Sequence, residues 1–588
     1  MNGTQNVNNL VIGMPSALPP LWAAGMVSAV VEDSSNLAAV AEVRFRDPSD
    51  DFFSDTGVTI GTEVRLRIRR GQRTVTDLFR GEVVAIEREY DGLGTFSVVR
   101  AMDKSHRLMR GQRVRSFVKQ SPSLIARELA YTAGVPIGRI ELFDRTYDMV
   151  TQPNVSDWDF LKMLALDNEA EAVMVDGRFY FRHRERATGA PDTATTADQS
   201  PHVVQMDKNV LAVRSSVSSM GQVPTVTVRG WDPELKRAVK TEVPAVKSTE
   251  IAIPVTPAQA FGPFGGTGLN IADVPFQTSN ETAAVARAVA ADVTASLAEL
   301  EVGVRGRPEL RAGVPMTLRG VGTKFDGKYT VTSSRHVFTG HSAYETWLTV
   351  SGRQDRTIAG LGSGASAPVR PVRVPGLAIA VVTDTKVDAD PRSRGRSRNR
   401  RNQGWVRLRF PWLTDDTEYQ SDWVRTVQLG GGGGGGVFVP EINDEVLVGF
   451  EQGLLDRPYV IGGLYNGKDH PSRDHEGDLI DPTTGRVNRR SLASRSGDRI
   501  ELLDSRVKPK GIRLATAKDK LVVYLDKVNS RIVLNSDGSI EIDARDDVEI
   551  RGRNITIDAQ RNLTLKGADV DVAGTLGVDV RAPIVKLN

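Results

Sequence analysis

The sequence contains no cysteine among its 588 residues. Disulfide bonds, thiolate catalysis and zinc sites with cysteine ligands are therefore excluded. No apolar run approaches the roughly 18 residues of a membrane-spanning helix, and the start of the chain, broken by Pro15, Pro19 and Pro20, is not predicted to be a signal peptide. Net charge is also small, because 76 lysine and arginine residues balance 73 aspartate and glutamate residues. This balance excludes a protein that coats nucleic acid through bulk charge.

Turn-forming residues are abundant, with 55 glycines and 29 prolines, whereas aromatic residues make up only 6%. This composition favours strands and turns over helical bundles. Apolar and polar residues alternate across residues 21–116 and again across 203–352, as in the strands VRLRIRR and YTVTSSRHVF. Each segment is predicted to be a small barrel or sandwich.

Helical spacing interrupts these strands in three places. The sequence predicts a helix from residue 122, a second helix that Ser156 caps, and an alanine-rich helix over 282–300. Between the second and third helices, VMVDGRFYF predicts a β-hairpin with Asp176 and Gly177 in its turn.

The C-terminal half begins with a segment rich in glycine, serine and proline at 355–375, which is predicted to be a linker. Five short strands with turn signals over 376–467 predict an OB-fold barrel. A polar connector over 468–496 separates this barrel from an all-β tail over 497–588.

The tail carries an internal repeat from residue 540 onwards. Each block has two apolar residues that flank one polar residue, and successive blocks begin six to eight residues apart, which is typical of a solenoid or fibre. The apolar block residues are the predicted core: Ile540, Ile542, Val548, Ile550, Ile555, Ile557, Leu563, Leu565, Val570, Val572, Val578 and Val580.

One copy of this repeat has too few apolar side chains to offset the entropy lost when the segment becomes ordered. Three copies around one axis give every apolar pair a partner on each side and leave no sheet edge open. The sequence therefore predicts an intertwined homotrimeric β-helix or prism. The alternative is a β-helix made by a single chain, but its rungs usually need about twenty residues or more.

Residues 404–471 contain GWVRLRFPW and, after a glycine run, VFVPEINDEVLVGFEQGLLDRPYVIGGLYNGKDHP. This pattern resembles the OB-fold of VgrG and phage spike proteins. The segments LFRGEVVAIE, SPSLIARELAYTAGV and VSDWDFLKMLA resemble the late-control protein D hub domain of phages, which forms the N-terminal half of VgrG. The positions in register with the OB pattern are Pro440, Asp444, Glu445, Val446, Val448, Phe450, Gly453, Asp456, Arg457, Pro458, Gly462, Leu464, Tyr465 and Asn466.

The resemblance implies a mainly β fold with α insertions. Its parts are hub barrel 1 (1–120), a helical and hairpin insert (121–202), hub barrel 2 (203–354), the linker (355–375), the OB-fold (376–467), the connector (468–496) and a trimeric β-helix needle (497–588).

The resemblance also implies a function, that of a hub and membrane-puncturing spike at the tip of a contractile injection system. The expected partners are two further copies, a hexameric inner tube protein, baseplate proteins, the target envelope and a PAAR-type tip protein. The last of these would dock on Ile584, Val585, Lys586, Leu587 and Asn588. Such a protein is assembled in the bacterial cytoplasm and joins a phage tail-like particle. An extracellular or phage-like particle, a phage tail baseplate and a type VI system are the alternatives for the machine.

No motif predicts catalysis, a metal or another cofactor, so the sequence predicts a protein that is not an enzyme. The pairs His336/His341 and His470/His475 have a spacing that does not suit metal ligation outside a helix, and they are predicted to lie at the surface.

An arginine-rich loop over 391–403 admits three interpretations: a solvated loop, contact with an acidic protein, or nucleic-acid binding through the OB-fold. The sequence favours the first, so no nucleic acid is expected as a partner. The loop arginines are Arg392, Arg394, Arg396, Arg398, Arg400 and Arg401.

Overall fold

A computed structural model describes residues 8–586 except 36, 71–73, 234, 340–341, 353–372, 387–403, 414–419, 472–474, 476 and 507–508. The chain forms two compact units, Met1–Asp469 and His470–Asn588. Strands dominate both units, which confirms the predicted mainly β fold with helical insertions. Within the described ranges, no helix has the length and apolar character that crossing a membrane requires.

The largest sheet of the first unit joins the two strand-rich segments that the sequence predicts as separate barrels. Strands β2 and β21 pair antiparallel from Ser28 opposite Thr339 to Ser34 opposite Ser333, so both segments share one hydrogen-bonded sheet. In sheet order its strands are β1 (Asn8–Gly13), β4 (Glu63–Arg70), β5 (Thr74–Asp91), β6 (Gly94–Met102), β3 (Val40–Arg46), β2 (Met26–Ser34), β21 (Ser333–Thr339), β22 (Ser342–Val350), β18 (Ala298–Arg305) and β13 (Val210–Val217).

Two separate hydrophobic cores lie along this sheet. The core of the N-terminal segment contains Phe45 and Phe52, whose rings stack with their centroids 4.4 Å apart. The core of the second segment contains Leu300, Val302 and the fully buried Tyr329. The shared sheet therefore connects two cores, and Phe338 and Tyr344 of the second segment belong to the first one.

Two smaller sheets complete the second segment. One contains β12 (Val203–Gln205), β19 (Pro315–Arg319), β20 (Gly327–Thr330) and β16 (Ile251–Ala252), and the other contains β15 (Arg237–Pro244), β14 (Thr225–Asp232) and β17 (Leu269–Phe276). The second of these packs against helix α6 (Ser279–Ala295).

Helix α6 begins with a capping box. The Thr278 hydroxyl accepts a hydrogen bond from the backbone amide of Glu281, and the Glu281 carboxylate accepts one from the backbone amide of Thr278. The predicted helix over 282–300 was wrong at its end. Residues Ala298–Arg305 form strand β18 instead, because their alternating apolar side chains fill the core while the backbone pairs with β13 and β22.

A helical insert separates the two segments, as the sequence predicts. Ser121 caps helix α3 (Pro122–Thr132), and Ser156 caps helix α4 (Asp157–Asp167) by accepting the Asp159 amide at 3.1 Å. The accompanying strands are β7 (Arg113–Gln120), β8 (Ile137–Ile140), β9 (Tyr147–Val155), β10 (Ala170–Val175) and β11 (Arg178–His183). The short helices of this unit are α1 (Pro20–Ala24), α2 (Phe52–Thr56) and α5 (Pro257–Phe261).

The predicted hairpin turn is confirmed at Asp176 and Gly177, which have φ angles of 51° and 72° between the paired strands β10 and β11. These positive angles suit the two central positions of a type I′ turn.

Among the described residues, five strands form the predicted OB-fold around a buried apolar core that includes Val406, Leu408, Phe410 and Val446. Two weak polar contacts connect this barrel to the hub: Arg457 lies 3.4 Å from the Glu281 carboxylate, and the Gln452 amide lies 3.4 Å from the Ala272 carbonyl. In sheet order the strands are β24 (Arg407–Arg409), β23 (Leu377–Asp384), β26 (Glu445–Phe450), β27 (Pro458–Gly463) and β25 (Arg425–Thr426).

The second unit contains an antiparallel meander in which each strand pairs with the next along the chain. Its strands are β28 (Arg489–Ala493), β29 (Arg499–Asp504), β30 (Lys510–Ala515), β31 (Leu521–Asp526) and β32 (Arg531–Ser536). Asp526 stabilises the last hairpin, because its carboxylate accepts hydrogen bonds from Val528, Asn529 and Arg531, and these bonds lower its pKa to about 2.

One face of this meander buries a cluster of charged side chains. The Glu501 carboxylate is fully buried and lies 2.7 Å from Nδ1 of His475, 3.3 Å from Nε of Arg499 and 3.7 Å from Nη1 of Arg513. Both arginines also reach the carboxylate of Asp519. Glu501 is therefore the central anion of a network that holds the His475 side chain against the sheet.

Substitution of Glu501 with glutamine should destabilise this meander strongly, because it removes the buried anion beside His475 and leaves the partly exposed Asp519 as the only carboxylate shared by Arg499 and Arg513 among the described residues. Loss of one partner from a buried ion pair typically costs about 3–5 kcal/mol. Hydrogen exchange of the full-length chain, followed in peptides that cover residues 499–526, should accelerate by roughly a hundredfold or more. Glu549→Gln is the control, because that exposed side chain pairs only at the surface; equal effects of the two substitutions would contradict the central role of Glu501.

A second buried charge lies at the joint between the two hub segments. Asp33 on β2 lines a cavity of about 390 Å³ together with Asp103, Asp176 and Arg311. Burial raises the pKa of Asp33 from 3.8 to about 7, repulsion from Asp103 adds to the rise, and Arg311 opposes it. The folded chain therefore retains a proton that the unfolded chain has released by neutral pH.

The raised pKa of Asp33 predicts that ionisation of this side chain destabilises the folded state, by an amount that depends on pH. Between pH 4 and pH 7 folding becomes less favourable as the pH rises, and above about pH 7 the full cost is present. Asp33→Asn removes this cost, so the melting temperature of the variant should exceed that of the wild type at pH 8 and approach it at pH 5. Melting curves that shift equally at both pH values would show that Asp33 does not titrate in this way.

Candidate functional site: exposed apolar surface of the second unit

The other face of the meander is apolar and open to solvent. Register places its side chains side by side, with Ile500 opposite Leu514, Leu502 opposite Ile512, and Leu514 opposite Val523. Alternation along each strand directs these residues away from the charged cluster, because neighbouring residues of a strand lie on opposite faces. The members of this apolar face are Leu492, Ile500, Leu502, Ile512, Leu514, Leu521, Val523, Leu525, Ile532 and Leu534, all of them exposed.

The repeat follows directly after strand β32. Within residues 537–586 the single chain forms no strand, and every described side chain is exposed. The predicted core residues are therefore all in solvent: the first apolar residue of each block is 54–58% exposed, and the second is 65–70% exposed. This regular pattern shows that every block has the same local environment.

Backbone packing also repeats along the tail. A side chain added at Gly567 would come within 2.8 Å of the Asp569 carbonyl oxygen, and one at Gly574 within 2.4 Å of the Gly577 carbonyl oxygen. Both glycines lie two residues after the end of a block, where Ala544, Gly552 and Ala559 also lie. Small residues at this position permit the tight turn that starts the next block.

Some of the other residues predicted to contact partner proteins lie in the described part of the chain, and the rest lie outside it. Ile584 and Val585 are exposed, as is Lys586, so the described part of the predicted cap-docking segment is accessible. Leu587, Asn588 and the arginine-rich loop, with Arg392, Arg394, Arg396, Arg398, Arg400 and Arg401, lie outside the described residues. Their roles stay predictions.

Two histidines contradict the predicted surface location. His336 is 1% exposed, and its Nδ1 lies 2.8 Å from the Tyr344 hydroxyl. Burial lowers the pKa of His336 to about 3, so this side chain is neutral in the folded protein. His475 lies in the ion network of Glu501.

The alternation of YTVTSSRHVF could have indicated the burial of His336, which shares a face with Phe338. No comparable sequence signal places His475 beside Glu501. Among the described residues, no group of three His, Asp or Glu side chains is arranged to hold a metal ion.

The glycine run 430–436 closes on itself. A side chain at Gly430 would come within 2.5 Å of the Gly434 carbonyl oxygen, and Gly435 has a φ angle of 104°. The close backbone approach explains why glycine is required at these two positions.

Two protein families match the chain. Residues 27–340, more than half of the chain, match the family described as the Alg8 N-terminal domain. Residues 379–465 match the type VI secretion system/phage-baseplate injector OB domain.

Solved structures are similar to the chain in fold. The half-lidded and lidded forms of the Francisella PdpA–VgrG complex give TM-scores of 0.54 and 0.52 at 8% identity, covering 91% and 90% of this chain and 89% and 79% of the other. The Escherichia coli c3393 protein is a type VI secretion component that is similar to the T4 tail proteins gp27 and gp5. It gives a TM-score of 0.47 at 12% identity, and the aligned region covers 75% of this chain and 96% of the c3393 chain.

The family matches account for the two parts of the first unit, since one covers most of the hub and the other covers the OB-fold. The chain belongs to the family of the Alg8 N-terminal domain, contains an injector OB domain after that region, and has a fold similar to that of the PdpA–VgrG complex.

Proposed function

We propose that three copies of the chain associate through the apolar face of the meander and the apolar blocks of the repeat. The regular 54–58% and 65–70% exposure of the block residues supports this proposal most directly. Exposed apolar surface on this scale is rare in soluble monomers and marks an interaction site. A repeating surface of this kind is best covered by a partner with the same repeat, which is another copy of the same chain.

The edges of the sheet support a closed arrangement of chains, for which we propose three copies. Strands β28 and β32 each have an unpaired side in the meander. A closed ring of three chains pairs such edges and encloses the apolar residues around the axis, whereas an open stack would leave edges free to aggregate. The product is a needle of intertwined strands.

The proposed function is that of a homotrimeric hub and membrane-puncturing spike in a contractile injection system. The hub would seat a hexameric inner tube and contact baseplate proteins, while the needle carries a PAAR-type tip protein on residues 584–588 and meets the target envelope on firing. The match to the type VI secretion system/phage-baseplate injector OB domain and the similarity in fold to the PdpA–VgrG complex support this role.

We place the protein in an extracellular or phage-like particle that is assembled in the bacterial cytoplasm. A phage tail baseplate and a type VI system are the alternative machines. Genes for capsid proteins beside this one would favour the phage tail, whereas sheath, tube and ATPase genes without a capsid would favour the particle.

The work assigned to the protein is mechanical, and the proposal includes no catalytic residue. Contraction delivers force along the needle, and the narrow repeat concentrates it on a small area of the envelope. Resistance to that force comes from buried apolar contacts between chains.

A charge placed in one block should prevent the trimer from forming. Ile557→Asp inserts a carboxylate at an apolar position of every chain, where the closed needle would have to desolvate three of them. Analytical ultracentrifugation should find the wild type as a trimer and this variant largely as monomers.

Thr556→Asp is the matched control, because it places the same charge one residue earlier, at the polar position of the same block. This variant should remain trimeric. A compact wild-type monomer whose residues 540–586 resist proteolysis would overturn the proposed assembly, since such a chain would bury its repeat alone.

The mechanical role also predicts that the purified protein does not cleave the cell wall. A zymogram with embedded peptidoglycan should show no clearing at the position of the full-length chain, while a lytic enzyme in the neighbouring lane clears the gel. Clearing that persists after repurification would show an enzymatic activity.

A further inference from the structure

A cavity of about 1090 Å³ lies inside the first unit, where helix α4, helix α6, strand β17 and the loop Leu454–Arg457 meet. Its volume is close to that of cavities that hold small organic ligands. Much of the wall is apolar and includes Met163, Leu166, Ile271, Val285 and Val289. A ligand with an apolar body would therefore replace water favourably along this wall.

The charged groups of the wall are not balanced. Seven carboxylates and four basic groups line the cavity. Four of the carboxylates are neutralised by ion pairs. Glu250 lies 2.9 Å from Arg184, and Glu281 lies 3.4 Å from Arg457. Glu171 and Glu185 lie 3.0 Å and 3.4 Å from Arg182, which stands outside the wall. With Arg182 included, seven carboxylates still face five basic groups. The excess negative charge selects for a cation.

Asp167 is the carboxylate that lacks a donor. It is the last residue of helix α4, and among the described residues no hydrogen-bond donor reaches its carboxylate; Arg145 donates only to its backbone carbonyl, at 3.4 Å. The C-terminal end of a helix adds partial negative charge at the same place. The Asp167 carboxylate therefore has unused hydrogen-bonding capacity in a partly apolar environment.

The charged groups around Asp167 strengthen this imbalance. Burial raises the pKa of Asp167 to about 6, with Glu281 and Asp456 adding to the rise and Arg145 opposing it. The carboxylate is thus ionised at pH 7.5 and largely neutral at pH 5, and its charged form would be stabilised by an incoming cation.

We propose that this cavity binds a small organic ammonium ion with an apolar chain, whose ammonium group donates hydrogen bonds to the Asp167 carboxylate while the chain lies along Met163, Val285 and Val289. An ammonium group supplies three donors and a positive charge. The low dielectric of the cavity strengthens its attraction to a carboxylate compared with the same pair in water. This site is independent of the needle and of the proposed role as a spike.

The test compares three ligands that share one chain length: decylammonium, decanol and decanoate, each below its micelle concentration. Isothermal titration calorimetry on the full-length protein at pH 7.5 should show decylammonium binding at least about tenfold more tightly than decanol, with decanoate the weakest. Equal affinities for decylammonium and decanol would overturn the proposal, because they would show binding by the apolar wall alone.

Asp167→Asn should reduce the affinity for decylammonium to that for decanol and leave decanol unchanged. Asp144→Asn is the matched control, since it removes the same charge from an exposed residue outside the cavity wall. An unchanged affinity for decylammonium in the Asp167 variant would contradict the assigned contact.

The wild type provides a measurement that needs no variant. Because Asp167 becomes protonated below about pH 6 while the ammonium group stays charged, the affinity for decylammonium should fall roughly tenfold between pH 7.5 and pH 5. The affinity for decanol should be unchanged over this range. A decline that is equal for both ligands would show a general loosening of the hub, and it would overturn the role of Asp167.

Discussion

The alternation of side chains across the meander β28–β32 determines how the second unit can exist in water. Alternate residues send Arg499, Glu501 and Arg513 to one face and Ile500, Leu502 and Ile512 to the other. The charged side chains of the first face are buried and pair with one another and with His475, whereas the apolar side chains of the other face are exposed in the single chain. The unit therefore buries charged groups and leaves its apolar face open for association, which is the reverse of an ordinary domain.

The first unit meets a different constraint, because its strands belong to segments that are far apart in sequence. Pairing of β2 with β21 joins residues about 300 positions apart into one sheet, and this joint places Asp33 beside Arg311. The OB-fold touches the same body through Arg457 and Glu281. In the proposed role the first unit would transmit axial force, and a continuous sheet would suit that role because its hydrogen bonds would have to break together before the segments could separate.

Local sequence signals predicted a large part of this fold. The OB-fold, the cap at Ser156, and the turn at Asp176 and Gly177 depend on residues that are close together in the chain, so short sequence patterns predict them. The cap at Ser121 was not predicted. The end of helix α6 was missed, because strands β13 and β22 recruit Ala298–Arg305 from a segment with good helical propensity.

The candidate site was predicted only in part. The apolar blocks were recognised from their spacing, but the apolar face of the meander was not, since it emerges only when four strand pairings are in register. The roles of His336 and His475 depend on Tyr344 and Glu501, and one of these contacts spans 26 residues of sequence. A contact between residues that are 26 positions apart leaves no periodic pattern in the sequence, so the pairing of His475 with Glu501 could not be predicted from the sequence.

The uniform exposure of the blocks also bears on how a needle of this kind would hold together. Each block offers one apolar residue at 54–58% exposure and one at 65–70%, with no gradient from Ile540 to Val580. In the proposed trimer every block would then contribute a similar increment of buried surface, and the stability would be close to a sum over nearest-neighbour layers. Loss of apolar area from one layer would then lower the stability only by the contribution of that layer. A charged residue in one layer has a larger effect, because three copies of the charge would have to be desolvated around the axis, and this cost would exceed what the neighbouring layers contribute.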